Sequence, residues 1–265
     1  MYLVLRVGGR NMELSITLMG LFVGTLVGLT GVGGAALLTP LLIVLGINPS
    51  IAVGTDLVYN SITKLFGVAQ HYKQRTINFK LAKYLAFGSI PSAVLAIVTL
   101  HAFPSFHEHQ ETIIKHALGY VMTLVAISII FRVFFDKLIR PNRFQEMDLN
   151  QKKGLTIGIG VVFGFIVGLT SIGSGSLFAI AMLYLFKLKT SELVGTDIAH
   201  AFLLVTVAGI LNASFGSVDY MLTANLLTGS IPGVLIGSRL STKVPSRPLQ
   251  AIMATIILIS GIKLI

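Results

Sequence analysis

The sequence lacks cysteine altogether and is poor in charge. With no cysteine, disulfides, thiolate metal sites and thiol catalysis are all excluded. Only 11% of the 265 residues are charged and 54% are apolar, whereas soluble domains carry about 25% charged residues. Runs such as 81–100 and 113–135 contain almost no charge and are long enough to cross a hydrocarbon layer about 30 Å thick. We therefore expect an integral membrane protein that crosses the bilayer several times.

Acidic residues are scarce, and the basic excess is confined to short connections between apolar runs. The 20 basic residues against 10 acidic ones form no basic face interleaved with aromatics, which argues against nucleic acid as a partner. Positive charge in short loops instead predicts the cytoplasmic side. Segment 72–83 carries four basic residues and no acid, and 136–153 is also rich in basic residues, so we expect both to be cytoplasmic. Segment 101–112, with two acids and no Lys or Arg, is expected outside.

The chain contains an internal repeat. Segment 24–37 (GTLVGLTGVGGAAL) aligns with 164–177 (GFIVGLTSIGSGSL). Val-Gly-Thr-Asp recurs at 53–56 and 194–197, and Gly-Ser-Ile-Pro at 88–91 and 229–232, both at an offset of 141 residues. Three anchors in the same order indicate a duplication. The basic segment 72–83 corresponds to 213–222, which carries only Asp219, so equivalent loops are predicted to face opposite sides of the membrane.

The apolar runs divide the repeat into two halves of five segments. They lie at 14–30, 34–46, 51–70, 81–100 and 113–135, and at 154–170, 175–187, 192–213, 222–238 and 249–264. The second segment of each half is too short to span the bilayer unaided. The predicted fold is an all-α polytopic membrane protein, an inverted-topology repeat whose halves each contain a glycine-broken or re-entrant short helix. Its predicted parts are an N-terminal extension (1–12), a first repeat (13–136), a cytoplasmic linker (137–153) and a second repeat (154–265).

Glycine-rich breaks before the two short segments are the first candidate site. Unwound backbone at membrane depth is tolerated where it is buried in protein or lines a cavity, and a helix that starts after such a break presents its N–H groups and positive dipole end to an anion. Close packing through small residues is the alternative explanation. The predicted anion-binding residues are Thr30, Gly31, Gly33, Gly34, Thr170, Ser171, Gly173, Ser174, Gly175 and Ser176.

Buried ionisable residues are the second candidate site. Asp56 and Asp197 fall inside apolar runs, and an intramembrane carboxyl group is a candidate for proton transfer. Hydrogen bonding to the hydroxyls of the breaks is the alternative role. Lys64 shares a helix face with Asp56 and is a candidate to attract the anion, unless it extends to the cytoplasmic surface. His200, three residues after Asp197, could relay protons or serve as a neutral hydrogen-bonding partner.

These motifs resemble the sulfite exporter TauE/SafE family of bacterial membrane transporters. The matching text includes GLTGVGGAALLTP at 28–40, AVGTDL at 52–57 and LVGTDIAHA at 193–201, and the resemblance extends from about Met12 onward. It implies transport of a small inorganic or organic sulfur-containing anion, such as sulfite or an organosulfonate, across the bacterial inner (plasma) membrane. Ser171 and Ser174 replace glycines of the usual second break, which bears on selectivity.

The predicted function is secondary transport, most simply export, of a small anion coupled to protons or membrane potential. A passive anion channel and an intramembrane hydrolase are the alternatives. The sequence has no P-loop, no His-Glu-x-x-His motif and no nucleophile signature around residues 171–176, so we expect no enzyme activity, no metal and no cofactor. The expected partners are the anion and membrane lipid. A homodimer is a further expectation that no particular residue supports.

Overall fold

A computed structural model describes residues 9–30, 35–103, 108–135, 142–240 and 246–265. These residues form eleven α-helices, and no strand occurs among them. The helices are α1 (Gly9–Thr30), α2 (Ala35–Val44), α3 (Pro49–Lys73), α4 (Phe79–Ala102), α5 (Gln110–Phe135), α6 (Arg143–Glu146), α7 (Lys153–Thr170), α8 (Leu177–Leu185), α9 (Thr190–Ser214), α10 (Tyr220–Leu240) and α11 (Ser246–Leu264). The prediction of an all-α fold is confirmed.

Five helices are long and apolar enough to cross a membrane: α4, most of α5, α7, α9 and α10. Helix α3 has 25 residues, about 37 Å at 1.5 Å per residue, but its polar residues Asp56, Asn60 and Lys64 make it less apolar than these five. Shorter apolar stretches lie within α1 (Leu14–Leu29) and α11 (Pro248–Leu264). The ten predicted segments each correspond to a helix, and the additional helix α6 lies in the predicted linker.

The short helices have 10 residues in α2 and 9 in α8. At 1.5 Å per residue they are about 15 Å and 14 Å long, roughly half the thickness of the hydrocarbon layer. Helix α2 ends in a turn at Gly46 (φ +83°), where the amides of Gly46 and Ile47 donate to the carbonyls of Ile43 and Leu42 at 2.9 and 3.0 Å. Glycine adopts this left-handed conformation without the strain that a side chain would impose.

The start of α3 follows the sequence signal for a helix N-terminus. Asn48 is the N-cap, its side chain accepts a hydrogen bond from the Ser50 amide at 2.9 Å, and Pro49 occupies the first helical position. The equivalent helix α9 begins at Thr190, and its N-cap residue, Lys189, makes no side-chain cap. These two starts set the depth of Asp56 and Asp197 along their helices.

Helices of the first half pack against helices of the second half. Helix α1 packs along α10, and the equivalent pair, α7 and α4, packs in the same way. Glycines allow the close approach: a methyl group added at Gly24 would lie 2.5 Å from the carbonyl oxygen of Ser230, and one added at Gly164 would lie 2.3 Å from that of Ser89. Because backbones meet at these glycines, each half completes the packing of the other.

The remaining large contacts join equivalent helices to each other. Helix α3 packs against α9, and α5 packs against α11. Gly54 near the start of α3 meets Ser217 beyond the end of α9, while Gly195 near the start of α9 meets Thr76 beyond the end of α3. The two helices therefore run antiparallel. The main hydrophobic core likewise includes residues of both halves, among them Leu38, Leu57, Ile172 and Leu226.

Candidate functional site

Asp56 is the centre of a buried polar cluster that joins the two halves. Its carboxylate is fully buried and accepts hydrogen bonds from Thr39 Oγ1 at 2.8 Å, from Asn60 Nδ2 at 2.7 Å and from Ser171 Oγ. The hydroxyl oxygens of Thr39 and Ser171 lie 3.0 Å apart. Thr39 lies on α2, Asp56 on α3, and Ser171 in the break of the second half. The predicted residues Asp56 and Ser171 are therefore in direct contact.

The second glycine-rich segment lies between the end of one helix and the start of the next. Helix α7 ends at Thr170, Ser171 adopts a left-handed conformation (φ +58°), Gly173 has φ +100°, and α8 begins at Leu177. Positive φ is strained for a serine. Two hydrogen bonds hold the residue in this conformation: its hydroxyl donates to the Asp56 carboxylate, and its backbone amide donates to the Val167 carbonyl at 2.7 Å. Strain held in place by its surroundings is a feature of functional sites.

The other predicted residues of this break are buried except Gly175, which is half-buried. Thr170, Ser174 and Ser176 are buried, with exposed fractions of 0%, 1% and 8%. The Thr170 hydroxyl donates to the Ile166 carbonyl at 2.8 Å within its own helix. In the first break, Gly31, Gly33 and Gly34 lie outside the described residues, as does the side chain of Thr30. Among the predicted anion-binding residues, those of the second half are therefore the ones that the structure describes in full.

Lys64 is part of an electrostatic cluster with the aspartates. It lies two turns after Asp56 on α3 and interacts electrostatically with both Asp56 and Asp197. Across the α3–α9 contact, Gly67 faces Ile198, so Lys64 lies within about one helical turn of the level of His200. His200 is itself within electrostatic range of Lys64. Lys64 thus lies between the levels of the two aspartates along the α3–α9 contact.

His200 is fully buried and contacts both α4 and α8. Its Nε2 is hydrogen-bonded to Ser89 Oγ at 2.8 Å, and its ring packs on Phe178 in the first turn of α8 with centroids 4.3 Å apart. Within the described part of the chain, its Nδ1 has no hydrogen-bond partner. The repeat-equivalent residue is Tyr59, whose hydroxyl is bonded to Ser230. Tyr59–Ser230 and His200–Ser89 are therefore the same cross-half pair in the two repeats.

The two Gly-Thr-Asp motifs have a physical explanation in these contacts. In the first, a methyl group added at Gly54 would lie 1.9 Å from the Ser217 carbonyl oxygen, and Thr55 Oγ1 accepts from the Asp219 amide at 3.1 Å. In the second, Gly195 meets Thr76 in the same way, and Thr196 Oγ1 accepts from the Asn78 amide at 2.9 Å. Glycine allows the approach, threonine fixes the turn after the partner helix, and aspartate enters the interior.

Comparison with known proteins identifies the family of this chain. A family model described as sulfite exporter TauE/SafE matches residues 16–264. The chain belongs to the TauE/SafE family. A protein of Bacillus subtilis (strain 168) named "Probable membrane transporter protein YjnA" is 80% identical over 254 residues, which are 96% of this chain and 100% of that protein.

More distant members are similar over nearly the same length. "Probable membrane transporter protein YunE" of Bacillus subtilis (strain 168) is 24% identical over 94% of this chain and 96% of its own. "Probable membrane transporter protein YdhB" of the same organism is 26% identical over 94% of this chain and 99% of its own. No solved structure matches the chain. The family and these names, with the apolar helices, identify a multi-pass membrane transporter rather than an enzyme.

In this TauE/SafE transporter, the linker caps the C-terminus of α8. The last carbonyls of α8 accept hydrogen bonds from three linker side chains: Asn142 Nδ2 to Tyr184 at 2.9 Å, Gln145 Nε2 to Leu183 at 3.1 Å, and Lys152 Nζ to Leu185 at 2.9 Å. Lys152 is buried, also donates to the Phe144 carbonyl at 2.5 Å, and lies over the Phe186 ring at 4.3 Å. A cation at a helix C-terminus stabilises the helix dipole.

Some contacting residues were not among the sequence-predicted site residues. Thr39 contacts Asp56, Ser89 is hydrogen-bonded to His200, and Tyr59 is hydrogen-bonded to Ser230. Two sequence signals pointed toward them: Thr39 is a hydroxyl in an otherwise apolar short helix, and both serines belong to the duplicated Gly-Ser-Ile-Pro anchors. Neither signal states which helix the side chain contacts, because that depends on the crosswise packing.

Proposed function

We propose that this protein is a secondary transporter that exports a small sulfur-containing anion, such as sulfite or an organosulfonate, from a bacterial cell across the inner (plasma) membrane. Transport is coupled to protons or to the membrane potential. The observation that carries the proposal is the buried contact of Asp56 with Ser171, because it connects a carboxyl group of one half to the helix break of the other. The family description, sulfite exporter, supports the choice of substrate class and direction.

The anion site of the proposal lies at the breaks that precede α2 and α8. The start of α8 offers the positive end of the helix dipole and the N–H groups of its first turn, and Lys64 adds a positive charge. An anion that enters this low-dielectric region and a carboxylate at Asp56 repel each other. Protonation of Asp56 therefore favours anion binding, and release of the anion favours release of the proton. Proton and anion then move in the same direction, so export by this route is driven by the outward concentration gradient of the anion and works against the inward proton gradient. This linkage is the proposed coupling, with Asp197 and His200 as further proton-transfer groups.

The inverted-topology repeat is part of the proposal. Two features support it: the repeat-equivalent helices α3 and α9 run antiparallel, and the end of α8 lies beside the linker that leads into α7. The second feature supports a re-entrant course for the α7–α8 pair, in which the chain enters the bilayer and returns to the same side. Two such pairs from opposite sides would bring their breaks together near mid-membrane, which is the arrangement that alternating access requires.

Counterflow in liposomes tests the transport mechanism. Purified protein is reconstituted, the vesicles are loaded with unlabelled thiosulfate or sulfite, and uptake of the labelled anion is followed. A carrier gives transient, saturable accumulation that depends on the internal anion, and an imposed pH gradient changes its rate. Flux that neither saturates nor responds to internal anion would assign a channel instead. Sulfoacetate, taurine and short carboxylates, compared by ligand-induced thermal stabilisation, identify the preferred anion.

Substitution of Asp56 tests the coupling. Asp56→Asn keeps the shape of the side chain and one of its two acceptor oxygens, replaces the other by a donor NH2 group, and cannot exchange a proton. We expect counterflow at zero pH gradient to persist and the stimulation by a pH gradient to be lost. Glu108→Gln, at an exposed position, is the matched control and keeps the stimulation. A pH response of the Asp56 variant equal to that of the unmodified protein would contradict proton coupling through this residue.

A further inference from the structure

A basic cavity lies at the turn between α3 and α4, away from the polar cluster between the halves. Its volume is about 400 Å³, and its walls are Tyr72, Lys73, Arg75, Ile77 and Phe79. Two of these side chains are cationic, two are aromatic and one is aliphatic, and none of the five is acidic. The combination provides donors and positive charge for an anionic group beside an apolar wall.

The backbone that presents the cations is fixed. Arg75 adopts a left-handed conformation (φ +55°), which is strained for a residue with a side chain. Three amide hydrogen bonds close the turn, from Gln74 to Gln70, Arg75 to Tyr72 and Thr76 to His71, each at 3.1 Å, and the Thr76 hydroxyl is bonded to His71 Nδ1 at 2.8 Å. The turn therefore holds Arg75 in a conformation that the residue would not choose alone, a feature of ligand-binding loops.

The aromatic walls of the cavity lie at the ends of the two helices that flank the turn. Tyr72 is in the last turn of α3 and Phe79 begins α4, and their rings meet edge to face with centroids 6.1 Å apart. The two residues are 64% and 60% exposed, although neither is charged. Tyrosine at the end of a membrane helix is typical of the bilayer interface, and basic loops beside such ends are attracted to anionic lipids.

We propose that this cavity binds the headgroup of an anionic phospholipid. The phosphodiester lies between Lys73 and Arg75, whose guanidinium can donate two hydrogen bonds to phosphate oxygens. The glycerol and first acyl carbons lie against Tyr72 and Phe79. The exposed aromatic walls favour a lipid over free phosphate, because a soluble anion would gain nothing from them.

The bound lipid would affect α9, because the turn that forms the cavity also contacts this helix. The same turn contacts α9: Thr76 packs on Gly195, and the Asn78 amide donates to Thr196 at 2.9 Å. Thr196 precedes Asp197 in the Gly-Thr-Asp motif. A headgroup that holds this turn therefore stabilises the contact between the end of α3 and the start of α9. This inference does not depend on the identity of the transported anion.

Two double variants, each of which removes two positive charges, test whether the cavity binds the lipid. Delipidated protein in a neutral detergent is titrated with phosphatidylglycerol, phosphatidylcholine or inorganic phosphate, while bound lipid is counted by native mass spectrometry and the melting temperature is followed. The double variant Lys73→Gln/Arg75→Asn removes the two cations of the cavity, and asparagine tolerates the left-handed conformation. Lys80→Gln/Lys83→Gln removes two charges from exposed positions at the start of α4 that do not line the cavity.

Phosphatidylglycerol is expected to bind tightly to the unmodified protein and to the Lys80/Lys83 variant, with at least tenfold weaker binding to the Lys73/Arg75 variant. Equal losses in both variants would mean diffuse attraction to the basic loop, and no loss in either would also overturn the proposal. Stabilisation by inorganic phosphate equal to that by phosphatidylglycerol would assign a free-anion site instead. The variant Lys73→Arg/Arg75→Lys, which keeps both charges, should retain binding and so separates misfolding from loss of the site.

A fluorescence measurement checks the position of the lipid independently. The chain contains no tryptophan, so Tyr72→Trp introduces a single emitter at the wall of the cavity. Phosphatidylglycerol brominated near the start of its acyl chains should quench this emission several-fold more than brominated phosphatidylcholine at the same mole fraction. Equal quenching by the two lipids would overturn the proposal, because the ring would then sense only the average bilayer.

Discussion

Two of the side chains that donate hydrogen bonds to Asp56 have no donor at the equivalent positions in the half that contains Asp197. Its carboxylate accepts from Thr39, Asn60 and Ser171. The residues that correspond to Asn60 and Ser171 in the other half are Ala201 and Gly31, neither of which has a side-chain donor. The duplication therefore preserved the two carboxyl groups but not their surroundings, which suits them to different roles.

The residue-scale site was predictable in part. An aspartate inside an apolar run is costly and stands out in any sequence, as does a serine in a glycine-rich break. Thr39 does not stand out in that way, because a threonine in a membrane helix can satisfy its hydroxyl on the preceding turn, as Thr63 and Thr170 do. Which hydroxyl turns toward the carboxylate depends on the tertiary packing of α2 against α3, and that packing leaves no mark in the local sequence.

Replacement of Thr39 by valine measures the contribution of this contact. Valine keeps the shape but removes a donor from a buried carboxylate, at an expected cost of about 1–3 kcal/mol. The variant should melt at a lower temperature in detergent, with a changed pH dependence of anion counterflow. Thr63→Val is the control, because the Thr63 hydroxyl bonds only carbonyls of its own helix. Equal destabilisation by both variants would mean that the hydrogen bond to Asp56 contributes no more to stability than a hydrogen bond within a helix.

At the scale of elements, the two short helices end in different ways. Helix α2 closes with its own glycine turn at Gly46, whereas α8 is capped by side chains of the linker, including Lys152. The lengths of both helices were predictable from the apolar runs and the glycines that precede them. The cap on α8 was not, since Asn142, Gln145 and Lys152 read as ordinary polar residues of a cytoplasmic loop. Helix α6, which positions the first two, has only four residues and no apolar periodicity to reveal it.

Lys152→Met tests whether the linker supports α8. Methionine keeps the apolar stem but leaves the Phe144 and Leu185 carbonyls without the ammonium group. We expect a loss of about 1.5–3 kcal/mol of stability in denaturant unfolding and weaker anion binding, because the opposite end of α8 faces the proposed site. Lys153→Met is the matched neighbour: Lys153 is exposed, with its Nζ 5.6 Å from the Tyr84 ring, and its loss should cost less than about 1 kcal/mol. Similar losses in both variants would exclude a special role for the cap.

At the scale of the whole molecule, hydropathy and the duplicated anchors predicted the helices and their two-fold arrangement in sequence. They did not predict which helices are neighbours, because lipid and protein are equally apolar surroundings for a leucine. Glycines spaced four apart, as at Gly20, Gly24 and Gly28, are the signal for close helix contacts. Their partners in α10 could be inferred only once the crosswise pairing of the halves is known.

A disulfide between α3 and α9 tests the antiparallel contact. A methyl group at Gly67 would lie 3.0 Å from a side-chain carbon of Ile198, so cysteines at both positions should be close enough to bridge. The absence of native cysteine gives a clean background. In Gly67→Cys/Ile198→Cys with a protease site added to the linker, oxidation should keep the two halves joined after cleavage. The pair Val44→Cys/Ile198→Cys is the control: Val44 is exposed and lies near the start of α3, whereas Ile198 lies beside its end, so these halves should separate after cleavage. Separation of the halves in the Gly67/Ile198 variant would contradict the contact.

The glycine contacts between α1 and α10 also determine when the protein can finish folding. Gly20 packs on the Leu226 carbonyl, which is synthesised about 200 residues later, a delay of roughly 10–40 s at 5–20 residues per second. Until then the glycine face of the first helix has only lipid or a temporary neighbour to cover it. Membrane insertion of the early helices and assembly of the bundle are therefore separate events, and a ribosome stalled before α10 would leave a chain that is inserted but unassembled.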